Sequence, residues 1–168
     1  MSTLQPISTK EFKENVSIRF NNILEGLDNY LNFEINAKDL KNGEESIINF
    51  ITEVFELNQN EAFVDLYLND LDEEAQNNLL KICCKEDRNI IKEHINLWHK
   101  EPYYKLTEKS LIPFLVRLNT NEAFFVTFYF TKKPITIWGN YNKTFPCFME
   151  TKEDQKLYKA LAQSHNLT

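Results

Sequence analysis

The sequence predicts an α+β domain: an N-terminal bundle of about five helices, then a three- to four-stranded antiparallel meander and a C-terminal helix. Three observations predict it. Up to about residue 100, apolar residues recur at intervals of three and four, the period of one helix face. After Pro102 the interval falls to two, the period of a half-buried strand. Ser8–Glu11 and Thr151–Asp154 have the spacing of a capped helix start, a hydroxyl followed three residues later by an acid.

Phe12, Val16, Phe20, Ile23, Leu27 and Leu31 form the stripe of one long helix, about residues 9 to 31. Asn36 to Gly43 reads as a connection. A second helix turns Ile47, Ile48, Ile51, Val54 and Phe55 inward, and Asn58-Gln59-Asn60 ends it. A third carries Ala62, Phe63, Leu66 and Tyr67. Asp70-Leu71-Asp72 is a turn and cap, because a short acid bonds the free N–H groups of a helix start. Glu73 and Glu74 follow in the first turn, where the helix dipole favours negative charge. Ala75, Leu79, Ile82 and Cys83 give the fourth stripe. Ile90, Ile91, His94, Ile95 and Trp98 give the fifth.

The meander follows. Phe114, Val116 and Leu118 alternate in a first strand. Phe124, Val126, Phe128 and Phe130 alternate in a second, and Ile135 and Ile137 in a third. Phe145-Pro146-Cys147-Phe148 adds an edge strand, the place in a sheet that tolerates proline. The last helix buries Leu157, Tyr158 and Leu161. With 168 residues, 42 % of them hydrophobic, one domain over 1–168 is expected. Its helical part covers about 9–100, and its sheet and last helix about 103–163.

Charge is the feature that bears on function. The net charge is −6. No Lys or Arg occurs from Asn42 to Leu80, while ten carboxylates do. Unbalanced acids repel one another unless a cation relieves them. Residues 1–100 carry 19 acids and 10 bases, and residues 101–168 carry 6 acids and 9 bases. Such an acidic first part argues against binding nucleic acid or anionic lipid. Glu53, Glu56, Glu61 and Asp65, outside the inward stripes, join Asp70, Asp72, Glu73 and Glu74 as the expected partner-binding surface. The partner expected is a basic protein. The concrete case is a toxin domain, for instance a nuclease, neutralised by a bacterial inhibitor or immunity protein. A second candidate surface is Phe125, Tyr129 and Trp138, the aromatic side of the meander, which the last helix is expected to cover.

Other chemistry has less behind it. Cys83, Cys84, His94 and His99 fit no zinc spacing, and Asp65, Asn69, Asp70 and Asp72 lack the glycine and terminal acid of a calcium loop. No phosphate loop, nucleophile elbow or metalloprotease motif occurs, so no catalytic residue, metal or cofactor is assigned. Three cysteines, two of them adjacent, suit a reducing cytoplasm. Met1–Ile7 lacks the features of a secretory signal, and no apolar run spans a membrane. Two alternatives remain. One is an enzyme or ligand sensor with a pocket between sheet and helices, near Tyr103, Tyr104, Tyr129, Trp138 and His94. The other is an oligomeric structural or adaptor protein that pairs through the Phe12–Leu31 stripe.

Overall fold

The structure is a computed structural model describing residues 3–96 and 99–168. It begins with β1 (Gln5–Pro6), α1 (Thr9–Asn15), α2 (Ile23–Asn29), β2 (Leu31–Asn36), α3 (Gly43–Leu57) and β3 (Ala62–Asp65). After a 3-10 turn at Leu68–Asp70 come α4 (Glu73–Ile82), α5 (Lys85–Asn96), β4 (Tyr103–Leu106) and α6 (Ile112–Thr120). The chain ends with β5 (Thr127–Phe130), β6 (Ile135–Trp138), β7 (Thr144–Met149) and α7 (Lys152–Ser164). Among the described residues the strands make one seven-stranded sheet in the order β1-β4-β3-β5-β6-β7-β2. Every pairing is antiparallel.

The chain is α+β, but the expected order of a five-helix bundle followed by a small meander is overturned. Four strands precede residue 107. The long first helix is in fact α1, an extended stretch and α2. Val16 and Ile18 are buried and alternate with exposed Ser17 and Arg19, so the backbone runs there with period two. Asn22 then caps α2, its Oδ1 accepting the Glu25 N–H at 3.1 Å. Leu31 opens β2 instead of closing a helix.

The expected third helix is β3. Gln59 and Asn60 both take left-handed φ angles, 61° and 57°, which stop α3 and reverse the chain. All four residues of β3 are buried, so the apolar run has no polar side to reveal its period. The opposite error occurs at 114–118, expected as a strand and found in α6. Phe114, Leu115, Val116 and Leu118 are all buried, and Pro113 suits the first turn of a helix. Pro146 lies within an internal strand, but the β6 ladder ends at Ile137–Cys147. Proline has no N–H to donate, and the β6 ladder stops one residue short of it. The second helix, the Asp72 cap and the last helix match their expected positions. Trp98 lies outside the described residues.

Both sheet faces are covered. Val64, Tyr104, Phe128, Ile137, Cys147 and Ile35 share one core with Ile47, Phe50, Phe114 and Tyr158 from α3, α6 and α7. On the other face Phe63 and Tyr129 pack with Ile7, Phe12 and Val16 from the N-terminal segment. This segment, residues 7–30, lies across the sheet as a strap. Glu101 accepts the Thr9 N–H at the start of α1, where Ser8 caps Glu11. A bidentate pair joins α5 to α6: Arg117 Nε reaches Asp87 at 2.7 Å and Nη2 reaches it at 2.5 Å.

Asn58 connects three elements. Fully buried at the end of α3, its Oδ1 accepts the Lys132 and Lys133 N–H groups of the β5–β6 turn at 3.1 and 2.8 Å. Its Nδ2 donates to Val54 O and to the Tyr158 hydroxyl. Tyr158 in turn donates to Lys133 O at 2.6 Å. The two sheet edges are blunted. β1 has two residues, one of them Pro6. On β2, Asn36 N–H donates to Leu167 O and Gln155 donates to Asn32 O.

Asn58→Ala strands two turn amides and the Tyr158 hydroxyl. It should cost roughly 2–4 kcal/mol, read from urea unfolding. A change below about 0.5 kcal/mol would mean that other contacts hold the turn.

Candidate functional site

The eight acids of the expected partner surface fall into separate settings. Glu53 stands 2.8 Å from His165 Nε2. Glu56 pairs with Lys109 at 3.2 Å. Glu61 pairs with Lys105 at 2.7 Å and with Lys132 at 3.6 Å, and the hydrogen bond from Lys105 holds its carboxyl below the usual range. Asp65 is buried in β3. Asp70, Asp72, Glu73 and Glu74 remain together at the 3-10 turn and the start of α4, all exposed. The ion pairs of the described residues reach none of these four. Asp72 also accepts the Ala75 N–H at 2.8 Å.

On the aromatic side of the meander Tyr129 and Trp138 are covered by the strap and not by the last helix, while Phe125 lies before β5 against Tyr141. Tyr129 meets Phe12 edge-on at 4.9 Å. Trp138 stacks on Phe20 at 5.2 Å, and Phe125 meets Tyr141 edge-on at 4.7 Å. Val16 is buried, Phe12 packs against Tyr129, and Phe20 packs on Trp138. Phe12, Val16 and Phe20 of the first stripe therefore serve the protein's own sheet, while Leu27 stays exposed.

A cleft of about 460 Å³ opens between strap and sheet. Tyr103 and Tyr129 line it from the strands, Phe12, Lys13, Arg19 and Phe20 from the strap. Asp65 is bonded to Tyr129 and faces Tyr103 as its register partner across β3–β4. Its Oδ2 accepts the Tyr129 hydroxyl at 3.2 Å, and its Oδ1 accepts the Thr127 N–H at 2.7 Å. Burial pushes the Asp65 carboxyl up to about 6, against the opposing pull of those donors. Burial and the nearby Asp65 push Tyr129 up, and push Tyr67 up to about 12. The hydroxyls therefore stay protonated at neutral pH, and that of Tyr129 donates its hydrogen bond to Asp65.

Of the other pocket residues the sequence suggested, Tyr104 and His94 lie away from this cleft. Tyr104 points into the opposite core. His94 is buried, with Nε2 accepting the Leu4 N–H at 3.1 Å and Nδ1 bonded to Ile90 O at 2.8 Å. Cys83 is buried and Cys84 exposed, and His99 bonds Ile7 O at 3.1 Å. Among the described residues no three His, Cys, Asp or Glu side chains converge as a metal site, and no helix is long and apolar enough to cross a membrane. Sequence reasoning passed over Lys13 and Arg19; the Val16/Ile18 alternation was the signal that the chain there is extended.

No family model matches the chain, and no curated protein or solved structure is significantly similar to it.

A raised carboxyl makes the fold favour the protonated acid. Asp65 therefore stabilises the fold fully below pH 3.8, and that contribution is lost as pH rises through about 6. The loss is about 3 kcal/mol. Measured against Asp65→Asn from about pH 4 to 8, the wild-type unfolding free energy should fall by that order. A pH-independent difference would return Asp65 to ordinary titration.

Proposed function

We propose that this chain is a protein-binding protein that occupies a basic surface on a partner. The observation that carries the reading is the group Asp70, Asp72, Glu73 and Glu74. These four exposed carboxylates within five residues have no ion pair to a described cation. Glu56 and Glu61, by contrast, are balanced by lysines of the later, more basic part of the chain.

A balanced acid offers little field to a partner, whereas an unbalanced group steers a cationic surface and selects for it. The start of α4 holds Glu73 and Glu74 in place, and carboxylates there can pair bidentately with arginine. An inhibitor or immunity protein that blocks the cationic site of a toxin, a nuclease being the concrete case, is the form of this reading with the most specific chemistry. A phosphate-binding site is cationic, and an ordered row of carboxylates competes for it.

The test is capture of the partner from the native cell, starting with any secreted protein with a basic C-terminal domain encoded beside this chain. Asp70→Lys, Glu73→Lys and Glu74→Lys together should weaken capture about tenfold or more. Salt of roughly 0.5 M should release the partner. Glu56→Lys, at an acid already paired, should change little. A partner held equally by the triple variant and at high salt would place the interface elsewhere.

A further inference from the structure

We propose that the cleft beneath the strap binds a small organic oxyanion carrying a flat ring, a carboxylate or a phosphate monoester. This site is separate from the acidic corner and does not depend on the reading given to it.

Charge is the first line of support. In a chain of net charge −6, the cleft presents Lys13 and Arg19. The ion pairs of the described residues include neither. Arg19 spends Nη1 on Val16 O at 2.6 Å, which anchors the guanidinium beside the cleft and leaves its remaining N–H groups available. Glu25 is the single acid of the lining and is turned to the Asn21 N–H at 2.9 Å, so two cations face one carboxylate. Paired N–H donors of a guanidinium match the geometry of carboxylate and phosphate oxygens.

The rings are the second. Two aromatic groups border the same space. Phe12 and Tyr103 stack with centroids 3.9 Å apart and planes 8° apart, with Tyr129 edge-on to Phe12. Phe20 lies against Tyr30 at 5.9 Å and stacks on Trp138. Phe12 and Tyr103 spend their facing sides on each other, so the rings offer the cleft their edges within a largely polar lining, which suits a small ring bearing polar groups. The volume, about 460 Å³, falls in the range of small-molecule sites. The cleft also has a rigid floor, because Tyr129 is bonded to Asp65 and Asp65 to the Thr127 backbone. A floor held by hydrogen bonds needs little reordering when a ligand arrives.

The test titrates the full chain with phenyl phosphate, benzoate, benzamide and inorganic phosphate, followed by amide and side-chain NMR shifts and by Trp138 fluorescence. Phenyl phosphate or benzoate should shift resonances of Arg19, Phe20, Tyr103 and Tyr129. Benzamide, which lacks the charge, and inorganic phosphate, which lacks the ring, should bind about tenfold or more weakly. Lys13→Gln, which leaves the fold's contacts intact, should weaken binding, and Lys13→Gln with Arg19→Gln should abolish it; thermal melting checks that both variants fold. Stronger response to phenyl phosphate than to benzoate identifies a phosphate monoester, and the reverse a carboxylate. Equal binding of benzamide, equal binding of inorganic phosphate, shifts that map outside the cleft, or no shift with either aryl anion at millimolar concentration would each overturn the proposal.

Discussion

The central strands impose a constraint that the other elements answer. Every residue of β3 and of β5 is buried, so the sheet has two dry faces. A single layer of helices would leave Phe63 and Tyr129 in water, and exposing large aromatic side chains costs about 1.5–3 kcal/mol each. Helices α3, α6 and α7 close one face. The strap closes the other with short helices and an extended stretch. Because the strap is thinner than a full layer, its cover is incomplete, and the cleft is the part of the second face that it leaves open. The same geometry places Asp65 in a dry interlayer with tyrosine hydroxyls and a backbone N–H as its company.

Two buried titratable groups pull on stability in opposite senses. Asp65 favours the fold when protonated. Burial pushes His94 down, and its Nε2 can accept the Leu4 N–H only while unprotonated. His94 thus contributes above pH 6.5, its ordinary value, and loses that contribution as pH falls below it. The carboxyl sits under α1 and the imidazole anchors the segment before β1. The attachment of the N-terminal region therefore responds to pH at two places that do not share a residue.

What the sequence revealed was local. The Ser8, Asp72 and Thr151 caps bond groups three residues away, and α3 has a polar side that displays its period. Val126, Phe128, Phe130, Ile135 and Ile137 were identifiable as core because they alternate. The hidden parts were those buried on all sides, β3 and α6, where period disappears. The acids were hidden for a different reason. Their counter-charges are distant in sequence: Lys109 for Glu56, Lys105 and Lys132 for Glu61. The excess base after residue 100 was visible as a sum but not as a set of pairs. By its local pattern Asp65 belongs on the outer side of a helix, and its bond to Thr127, 62 residues on, has no local trace. The cleft depends on the strap crossing the sheet, which one long helix would not do.

The edges of the sheet carry a last consequence. Gln155 and the backbone of Leu167 already occupy polar groups of β2, and exposed Glu34 stands between them. At the far side a two-residue strand ends in proline. Among the described residues both borders are shortened or partly occupied, which disfavours growth by adding strands, whether from a sister molecule or toward a fibril. Contacts made through side chains are correspondingly favoured over strand addition.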